Sequence, residues 1–469
     1  MTSKCGTPER EKEDSMDRKK DAGMLPVILA LAWPTMLEQL TQTAVQYIDT
    51  AMVGSLGTRA TAAVGATGTV NWLVGSTVSA FGVGFLAYIS QAIGAKDPGK
   101  ARRASGQAVM TVLTIGLLFT ALTMGLSGVI PVWMRVDPGI QTMASRYFLI
   151  LYTPMLFRAA SIVFGTVLRA AGDTKTPMRV GLAVNAINVV LNFFLIYPTR
   201  TVSVGDMRLS VFGADWGVIG AAAASAAAYA FGGVAISVML WRHPEISPRG
   251  QRFRPDREIL APCFRVAFPN MLQRFATSFG YVAFASMINS LGDVSTAAHT
   301  IANTVESAFY IPGYGMQAAA ATLAGNAWGA RDKAKLRGLA RAALPLEVGM
   351  MLVSGALLFL FAPRLMRLFS RDAEVIALGA AVLRMVALSE PFYGVSIVLE
   401  GIMQGVGKTV APFVCNLLGM WGVRITGTWI CTQALGLGLV SAWACMIGHN
   451  LLLFLLFTVY YHFRFQTRK

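Results

Sequence analysis

Hydrophobic residues occur along this chain in long runs separated by short polar segments. Each run covers the roughly 20 residues that a helix needs to cross about 30 Å of hydrocarbon. Most runs also contain the Gly, Ala and Ser residues that allow membrane helices to pack closely. The pattern therefore predicts an all-α polytopic membrane protein with about twelve transmembrane helices. The expected spans are 24–53, 60–92, 105–131, 141–167, 178–198, 213–241, 259–288, 296–327, 340–363, 374–402, 411–432 and 435–462.

The second half of the sequence repeats the first at a constant offset, which carries residue 31 onto residue 266. LAWPTML at 31–37 aligns with VAFPNML at 266–272, and GAKDPGKAR at 94–102 aligns with GARDKAKLR at 329–337 without a gap. Six spans in each half is an even number, so both halves cross the membrane in the same direction. The repeat therefore predicts two pseudo-symmetric six-helix lobes.

Polar segments set the expected domain boundaries. The first polar segment alternates acidic and basic residues without an apolar core, so it does not read as a signal peptide. The predicted organisation is a polar cytoplasmic tail at 1–23, an N-lobe at 24–241, a cytoplasmic linker at 242–258, a C-lobe at 259–463 and a cytoplasmic tail at 464–469.

The positive charge of the chain follows its predicted topology. Of the 469 residues, 55% are hydrophobic and only 14% are charged, yet the formal net charge is +16. In a soluble protein this charge would suggest a nucleic-acid partner, but here Lys and Arg concentrate in every second loop and at both ends. By the positive-inside rule, this distribution predicts cytoplasmic N- and C-termini. We expect a monomer in the lipid bilayer with no nucleic-acid partner.

Span one carries a stripe of polar residues. Glu38, Gln42, Gln46 and Asp49 are spaced by four, four and three residues, which places them within about 80° of one helix face. A charge at mid-membrane costs ~2.5–3.5 kcal/mol, so intramembrane acids usually face a cavity or an ion pathway. We predict that Asp49 binds a cation; the alternative is a permanently protonated acid bonded to a neighbouring helix. Pro34 lies one turn before the stripe and is a predicted hinge.

Span five carries a stripe of amides. Asn185, Asn188 and Asn192 are spaced by three and four residues and fall within about 60° of arc. Amide groups can accept a hydrogen bond from a protonated Asp49 or coordinate a cation through oxygen. Adhesion between helices is the alternative interpretation.

Span eight combines an acid with tyrosines. Glu306, Tyr310, Tyr314 and Gln317 lie on one helical stripe that Pro312 interrupts as a second predicted hinge. An acid among tyrosines could hold a lipophilic cation through charge pairing and cation–π attraction of ~0.5–2 kcal/mol, while simple aromatic packing is the alternative. The complete predicted substrate cavity is Glu38, Gln42, Gln46, Asn185, Glu306, Tyr310, Tyr314 and Gln317.

Catalytic and metal-binding patterns are absent from the sequence. The five cysteines show no disulfide or zinc spacing, and the four histidines are scattered. The chain contains no H-E-x-x-H, G-x-S-x-G or G-x-x-x-x-G-K-[ST] motif. We therefore predict a protein that is not an enzyme, with no metal and no cofactor.

With YIDTAMVG, LRAAGDTKTP and GNAWGARD in this order within the repeat, the chain resembles the multidrug and toxic compound extrusion (MATE) family over nearly all of 25–460. The resemblance implies a cation-coupled antiporter that exports amphipathic, often cationic drugs. It also implies a central cavity that two six-helix lobes open alternately to each side of the membrane. The coupling ion would be H⁺ or Na⁺.

The resemblance is strongest to the prokaryotic, DinF-like branch. In that branch a span-one acid fifteen residues after a proline binds the coupling ion, and Pro34 and Asp49 match this spacing. The family pattern of an Asn followed four residues later by an Asp falls on Asn188 and Asn192, so an amide replaces the second acid. Ser225 would complete the cluster with a hydroxyl.

Our hypothesis for the mechanism is proton-coupled antiport, and other functions remain as alternatives. In the mechanism, Asp49 takes a proton from outside, span one bends near Pro34, and the bonds to Asn188 and Asn192 rearrange as the drug is released. A rival is a flippase or exporter of a lipid-linked or polyanionic precursor, which would predict a cavity lined by basic residues. A channel would need a selectivity filter, and no segment resembles one.

Overall fold

The computed structural model describes residues 8–134, 136–204, 207–251 and 253–466. Nearly all of these residues are helical. The helices of the first half are α1 (Pro8–Gly54), α2 (Thr58–Gly94), α3 (Pro98–Leu126), α4 (Ile130–Trp133), α5 (Pro138–Tyr152), α6 (Met155–Ala170), α7 (Lys175–Leu195) and α8 (Gly217–Arg242). The helices of the second half are α9 (Arg257–Asn289), α10 (Asp293–Gly329), α11 (Lys333–Phe369), α12 (Ala373–Ala387), α13 (Glu390–Val406), α14 (Val410–Leu417), α15 (Thr426–Trp429) and α16 (Leu439–Tyr461).

Three π-helical segments belong to the last two of the long helical segments, which we call rods. Leu418–Ile425 and Ile430–Ala434 flank α15, and His462–Gln466 extends α16. The fourteenth and fifteenth helices with their two π-helical segments therefore form one rod over 410–434. With the pairs α5–α6 and α12–α13 each counted once and the four-residue α4 left out, the described residues form twelve rods. The prediction of a twelve-helix membrane fold is confirmed.

Nine of these rods are long and apolar enough to cross a membrane by length and composition, if each bent pair is counted as one span. The other three are α9, α10 and the rod over 410–434. The two long helices carry charged residues such as Arg274 and Glu306 inside the span.

Two spans expected to be continuous are broken. α5 and α6 meet at a bend of 50°, and α12 and α13 meet at a bend of 55°. The breaks at residues 153–154 and 388–389 are equivalent positions of the sequence repeat. A proline lies at or near each break, and Pro154 caps α6. Because proline lacks a backbone N–H, it interrupts the helical hydrogen bonds at these positions.

The all-α prediction missed one β-hairpin between α7 and α8. Strands β1 (Pro198–Val204) and β2 (Met207–Ala214) pair antiparallel, with an irregularity between Pro198 and Arg200. The expected spans 178–198 and 213–241 were therefore too long at the ends that face each other. The alternation in TVSV and RLSV is a strand pattern, but at four residues each it is too short to stand out beside two membrane spans.

The repeat extends to the details of the loops. Asp97 and Asp332 both cap a helix, and each accepts a 2.8 Å hydrogen bond from the backbone N–H three residues later. Lys96 and Arg331 precede these caps with φ of 56° and 57°. Positive φ is uncommon outside glycine, so its recurrence at equivalent positions marks one loop design used twice.

Contacts between Cα atoms divide the chain into two compact units. One unit contains the chain up to Met36, Ser90–Lys96 and everything from Leu272 onwards; the other contains Leu37–Ile89 and Asp97–Met271. Both α1 and α9 pass from one unit to the other, in each case two residues after a proline, Pro34 and Pro269. In the unit that contains everything from Leu272 onwards, the apolar cores are built mainly from α10, α11, α12, α13 and α16.

Candidate cation site in the N-terminal half

Three helices of one unit bring together the four residues predicted to bind a cation. Asn192 Nδ2 on α7 donates to Asp49 Oδ1 on α1 at 2.6 Å. Asn192 Nδ2 is also 3.2 Å from Asn188 Oδ1, and Asn188 Nδ2 donates to Ser225 Oγ on α8 at 3.0 Å. The four side chains therefore form one connected cluster, which we call the Asp49 cluster.

The Asp49 cluster stays connected if the Asn188 amide is turned over. In that orientation Asn188 Nδ2 lies 2.9 Å from Asp49 Oδ1 and Asn188 Oδ1 accepts from Ser225 Oγ at 3.0 Å. Both asparagines then donate to the carboxylate. The local reason is helix geometry, because residues four apart on α7 lie on one face and reach the same acid.

Burial shapes the chemistry of the Asp49 cluster. Asn192 is 1% exposed and Asn188 is 6% exposed, while Asp49 is half-buried. Asn192 Oδ1 is buried and has no hydrogen-bond partner within the described part of the chain. A buried acceptor without a partner costs free energy unless a proton or a cation can reach it. A protonated Asp49 could donate to this oxygen, and a bound cation could be coordinated by it.

The other residues of the span-one stripe lie apart from this cluster. Glu38 forms a salt bridge to Arg169 Nη2 on α6 at 2.6 Å, with both side chains about one fifth exposed. It lies about 16 Å before Asp49 along the helix axis. Gln42 and Gln46 lie between the two acids and are exposed. The stripe thus contains two separate acids, and one of them, Glu38, is paired with the guanidinium of Arg169.

The predicted hinges and the third amide are placed as follows. Pro34 is buried inside α1, which continues through it to Gly54. Asn185 is half-buried on α7, one turn before Asn188. Pro312 is half-buried inside α10, beside Gly313. Both prolines therefore interrupt the hydrogen bonding of a long helix without ending it.

The tyrosines of span eight form an aromatic cluster within the other unit. The Tyr310 ring lies 5.8 Å from the rings of both Tyr314 and Tyr393, and the Tyr314 and Tyr393 hydroxyls are 3.4 Å apart. Glu306 is 6% exposed and interacts electrostatically with Arg424. Gln317 is half-buried against Gly401 of α13. The sequence missed Tyr393, because only the packing of α13 on α10 brings it to this stripe.

Two buried acids were also missed or left unassigned by the sequence. Glu347 on α11 is 0% exposed, and Glu390 at the start of α13 is 1% exposed. A charged residue within the apolar run PLEVGMMLV was the available signal for Glu347. Among the described residues no group of three or more His, Cys, Asp and Glu has the arrangement of a metal site.

Several known proteins are similar to this chain in sequence or in fold. The chain is 27% identical over 90% of its length to "Probable multidrug resistance protein NorM" of Thermotoga maritima, covering 88% of that protein. It is 26% identical over 86% of its length to "Multidrug resistance protein PmpM" of Pseudomonas aeruginosa, covering 82% of that protein. The crystal structure of a MATE protein in complex with MaL6 matches 94% of this chain and 96% of its own, with a TM-score of 0.86 and 22% identity.

The family model that matches this chain and the relatives named as multidrug resistance proteins show a membrane transporter and not an enzyme. The chain belongs to the MatE family, whose model matches residues 34–194 and again 269–430. The two matched segments begin at Pro34 and Pro269, which are equivalent positions of the internal repeat.

Proposed function

We propose that this transporter is a cation-coupled antiporter that exports amphipathic, often cationic drugs from the cytoplasm by alternating access. Its expected location is the plasma membrane, with both termini in the cytoplasm. The relatives' names as multidrug resistance proteins support the class of substrate. The proposal of ion coupling is supported by the 2.6 Å hydrogen bond from Asn192 Nδ2 to Asp49 Oδ1. Asn192 Oδ1, in the same amide group, has no hydrogen-bond partner among the described residues.

In the proposed cycle Asp49 alternates between an ionised and an ion-loaded form. When ionised, the carboxylate accepts from Asn192, and in the swapped orientation also from Asn188. When protonated, it gains a donor that can turn to Asn192 Oδ1, so the bonds between α1 and α7 change partners. This exchange is the local event that links ion binding to movement of α1, with Pro34 as the expected bending point.

The energy of one coupled charge is sufficient for export. Moving one charge through a membrane potential is worth ~2.3 kcal/mol per 100 mV, which corresponds to roughly a 50-fold concentration ratio. ATP is not needed for such a gradient, and the sequence has no phosphate-binding loop for it.

The aromatic cluster is the proposed contact for the drug. The rings of Tyr310, Tyr314 and Tyr393 lie together, Tyr310 interacts electrostatically with the acid Glu306, and Tyr314 is 37% exposed. Ring faces attract organic cations, and flat apolar surfaces accept drugs of different shapes.

The test is ethidium transport by purified protein in proteoliposomes, with a pH gradient or a sodium gradient imposed one at a time. We expect uptake to follow the pH gradient, to saturate and to collapse with an uncoupler. In Asp49→Asn the gradient-driven component should be lost. Thr50→Val is the matched control, since Thr50 is exposed and its hydroxyl bonds to Gln46 O of its own helix at 2.8 Å. Undiminished pH-driven transport by Asp49→Asn would reject the role given to Asp49. Transport driven by a sodium gradient alone would show that the coupling ion is sodium and not the proton.

A further inference from the structure

The second half of the protein contains a buried carboxyl group that the proposed cycle does not use. Glu347 lies on α11, which packs against α10 and α13. Its side chain is 0% exposed, and neither Oε1 nor Oε2 has a hydrogen-bond partner within the described residues. Nearby Glu390 is 1% exposed, and its Oε2 is likewise without a partner there. The two acids interact electrostatically with each other.

Two glycines make the space that Glu347 occupies. A Cβ atom added to Gly313 of α10 would lie 2.9 Å from Glu347 Oε1, and one added to Gly394 of α13 would lie 2.8 Å from it. The carboxyl group is therefore held directly against the backbone of two neighbouring helices. Met351 and Ile397 approach the same spot, so its walls are largely apolar.

The scaffold itself does not require acids at these positions. In the register of the repeat, Glu347 corresponds to Val112 and Glu390 corresponds to Met155, both of which are buried. Helices α3 and α6 of the first half thus pack with apolar residues at the places where α11 and α13 carry carboxyl groups. An acid that the fold can replace by Val or Met has a reason other than packing.

The surroundings select a proton over a metal cation. Sodium needs several oxygen ligands at once, whereas Met351 and Ile397, the side chains that crowd this spot beside Glu347, offer no oxygen. An ionised carboxylate at this place has no donor among the described residues to replace its lost hydration, while the neutral acid avoids most of that penalty. We propose that Glu347 is a proton-binding site of the second half, separate from the Asp49 cluster.

Other ionisable groups surround this site, and a titration must separate them. Glu390 of α13 interacts electrostatically with Glu347, and it interacts in turn with Glu306 and Tyr310 of α10. Tyr393 of α13 packs against Tyr310. On α12, Arg384 bonds to Phe359 O, which is about 18 Å along α11 from Glu347. The remaining charged or titratable groups of the elements packed on α11 are His299, Asp293, Tyr314, Glu374, Glu400, His462 and Arg464.

The site also touches a predicted hinge, because Gly313 follows Pro312, the expected bending point of α10. Ionisation of Glu347 requires a donor or water beside Oε1, where the backbone of Gly313 now lies. Proton loss from Glu347 should therefore loosen the packing of α10 on α11 at Pro312. That consequence for transport rests on the proposed antiport, whereas proton binding by Glu347 does not.

The test is an infrared titration of the full-length protein in lipid, without any drug, between mildly acidic and mildly alkaline pH. We expect a carboxylic-acid C=O band that appears on acidification, shifts in D₂O and is missing in Glu347→Gln. The band should remain in Asp49→Asn. It should also remain in Glu400→Gln, the matched control, because Glu400 is a buried acid of the same half with donors from Gln273 at 2.9 Å and Gln404 at 3.1 Å.

A difference spectrum of Glu347→Gln identical to that of the unmodified protein would overturn the proposal. Should Glu347→Gln fail to fold, Glu347→Asp gives the same answer, because it should move the band to a new frequency, and an unmoved band would overturn the proposal. The drug-free measurement keeps this outcome independent of the antiport. If Asp49→Asn leaves transport intact while the Glu347 band titrates, only the proposed coupling role of Asp49 fails.

Discussion

The two halves use one scaffold but carry opposite charges at equivalent places, a carboxyl group in the first half and a guanidinium in the second. In the first half, Asp49 lies beside two asparagines and a serine. The equivalent residue of the second half is Phe284, which is 1% exposed and lies 4.1 Å from the buried guanidinium of Arg424. A guanidinium repels the small cation that a carboxylate attracts. The halves therefore share their packing, while their polar chemistry differs.

A second contrast concerns how buried acids are compensated. Asp49 and Glu400 both accept hydrogen bonds from amide donors, whereas Glu347 has none within the described residues. Amide donors allow a carboxylate to remain ionised, and their absence favours the neutral acid. The second half therefore contains both kinds of buried acid, with donors at Glu400 and without them at Glu347.

We expect the strongest effect from Asn192→Leu, because it removes an amide donor of the Asp49 cluster. Asn192→Leu keeps the approximate volume but deletes the 2.6 Å donor to Asp49. A hydrogen bond to a charged group is worth ~1.5–3 kcal/mol, so we expect the apparent affinity for the coupling ion to change by about tenfold or more. Ethidium efflux measured against ion concentration gives this affinity. Thr50→Val should leave it unchanged, and an unchanged affinity in Asn192→Leu would remove the asparagine from the site.

Two further substitutions compare a buried acid that has hydrogen-bond donors, Glu400, with one that has none among the described residues, Glu347. Glu347→Met removes a buried carboxyl that has no partner within the described residues, so we expect stabilisation of about 1–3 kcal/mol. Glu400→Met should destabilise by a similar amount, because it leaves the amides of Gln273 and Gln404 without their acceptor. Thermal unfolding of the purified protein in detergent, followed by tryptophan fluorescence, measures both changes. Equal destabilisation by the two substitutions would show that Glu347 has partners after all.

The smallest effect tests what the halves still share. Asp97→Ala and Asp332→Ala each remove a helix cap with the same 2.8 Å hydrogen bond. Loss of such a cap costs ~0.5–2 kcal/mol, and we expect nearly equal losses in the two halves. The same unfolding measurement applies. A clearly larger loss for one cap would mean that the loops have diverged despite their shared geometry.

Much of the fold could be predicted because its signals are local. Long apolar runs predict membrane helices, and the constant offset of the repeat predicts two halves whose helix boundaries agree at many positions. The bends after Tyr152 and Ala387 and the hairpin at 198–214 escaped prediction, since apolar composition continues through the bends and the strands are short. Hydrophobic length alone does not reveal where a helix breaks.

The candidate site divides in the same way. Helical spacing along α1 and α7 was enough to place Asp49, Asn188 and Asn192 on two polar faces. Only the tertiary structure joined Asn192 to Asp49 across 143 residues and paired Glu38 with Arg169 across 131 residues.

Repeated membrane crossing, duplication and acids inside the spans all follow from the amino-acid sequence alone. Periodicity and composition act over one or two helical turns, so they can be read from neighbouring residues. Which acids receive a donor depends on which helices pack together, and that is decided by contacts between distant segments. Only the tertiary structure therefore separated Asp49, which has amide partners, from Glu347, which lies between two glycines.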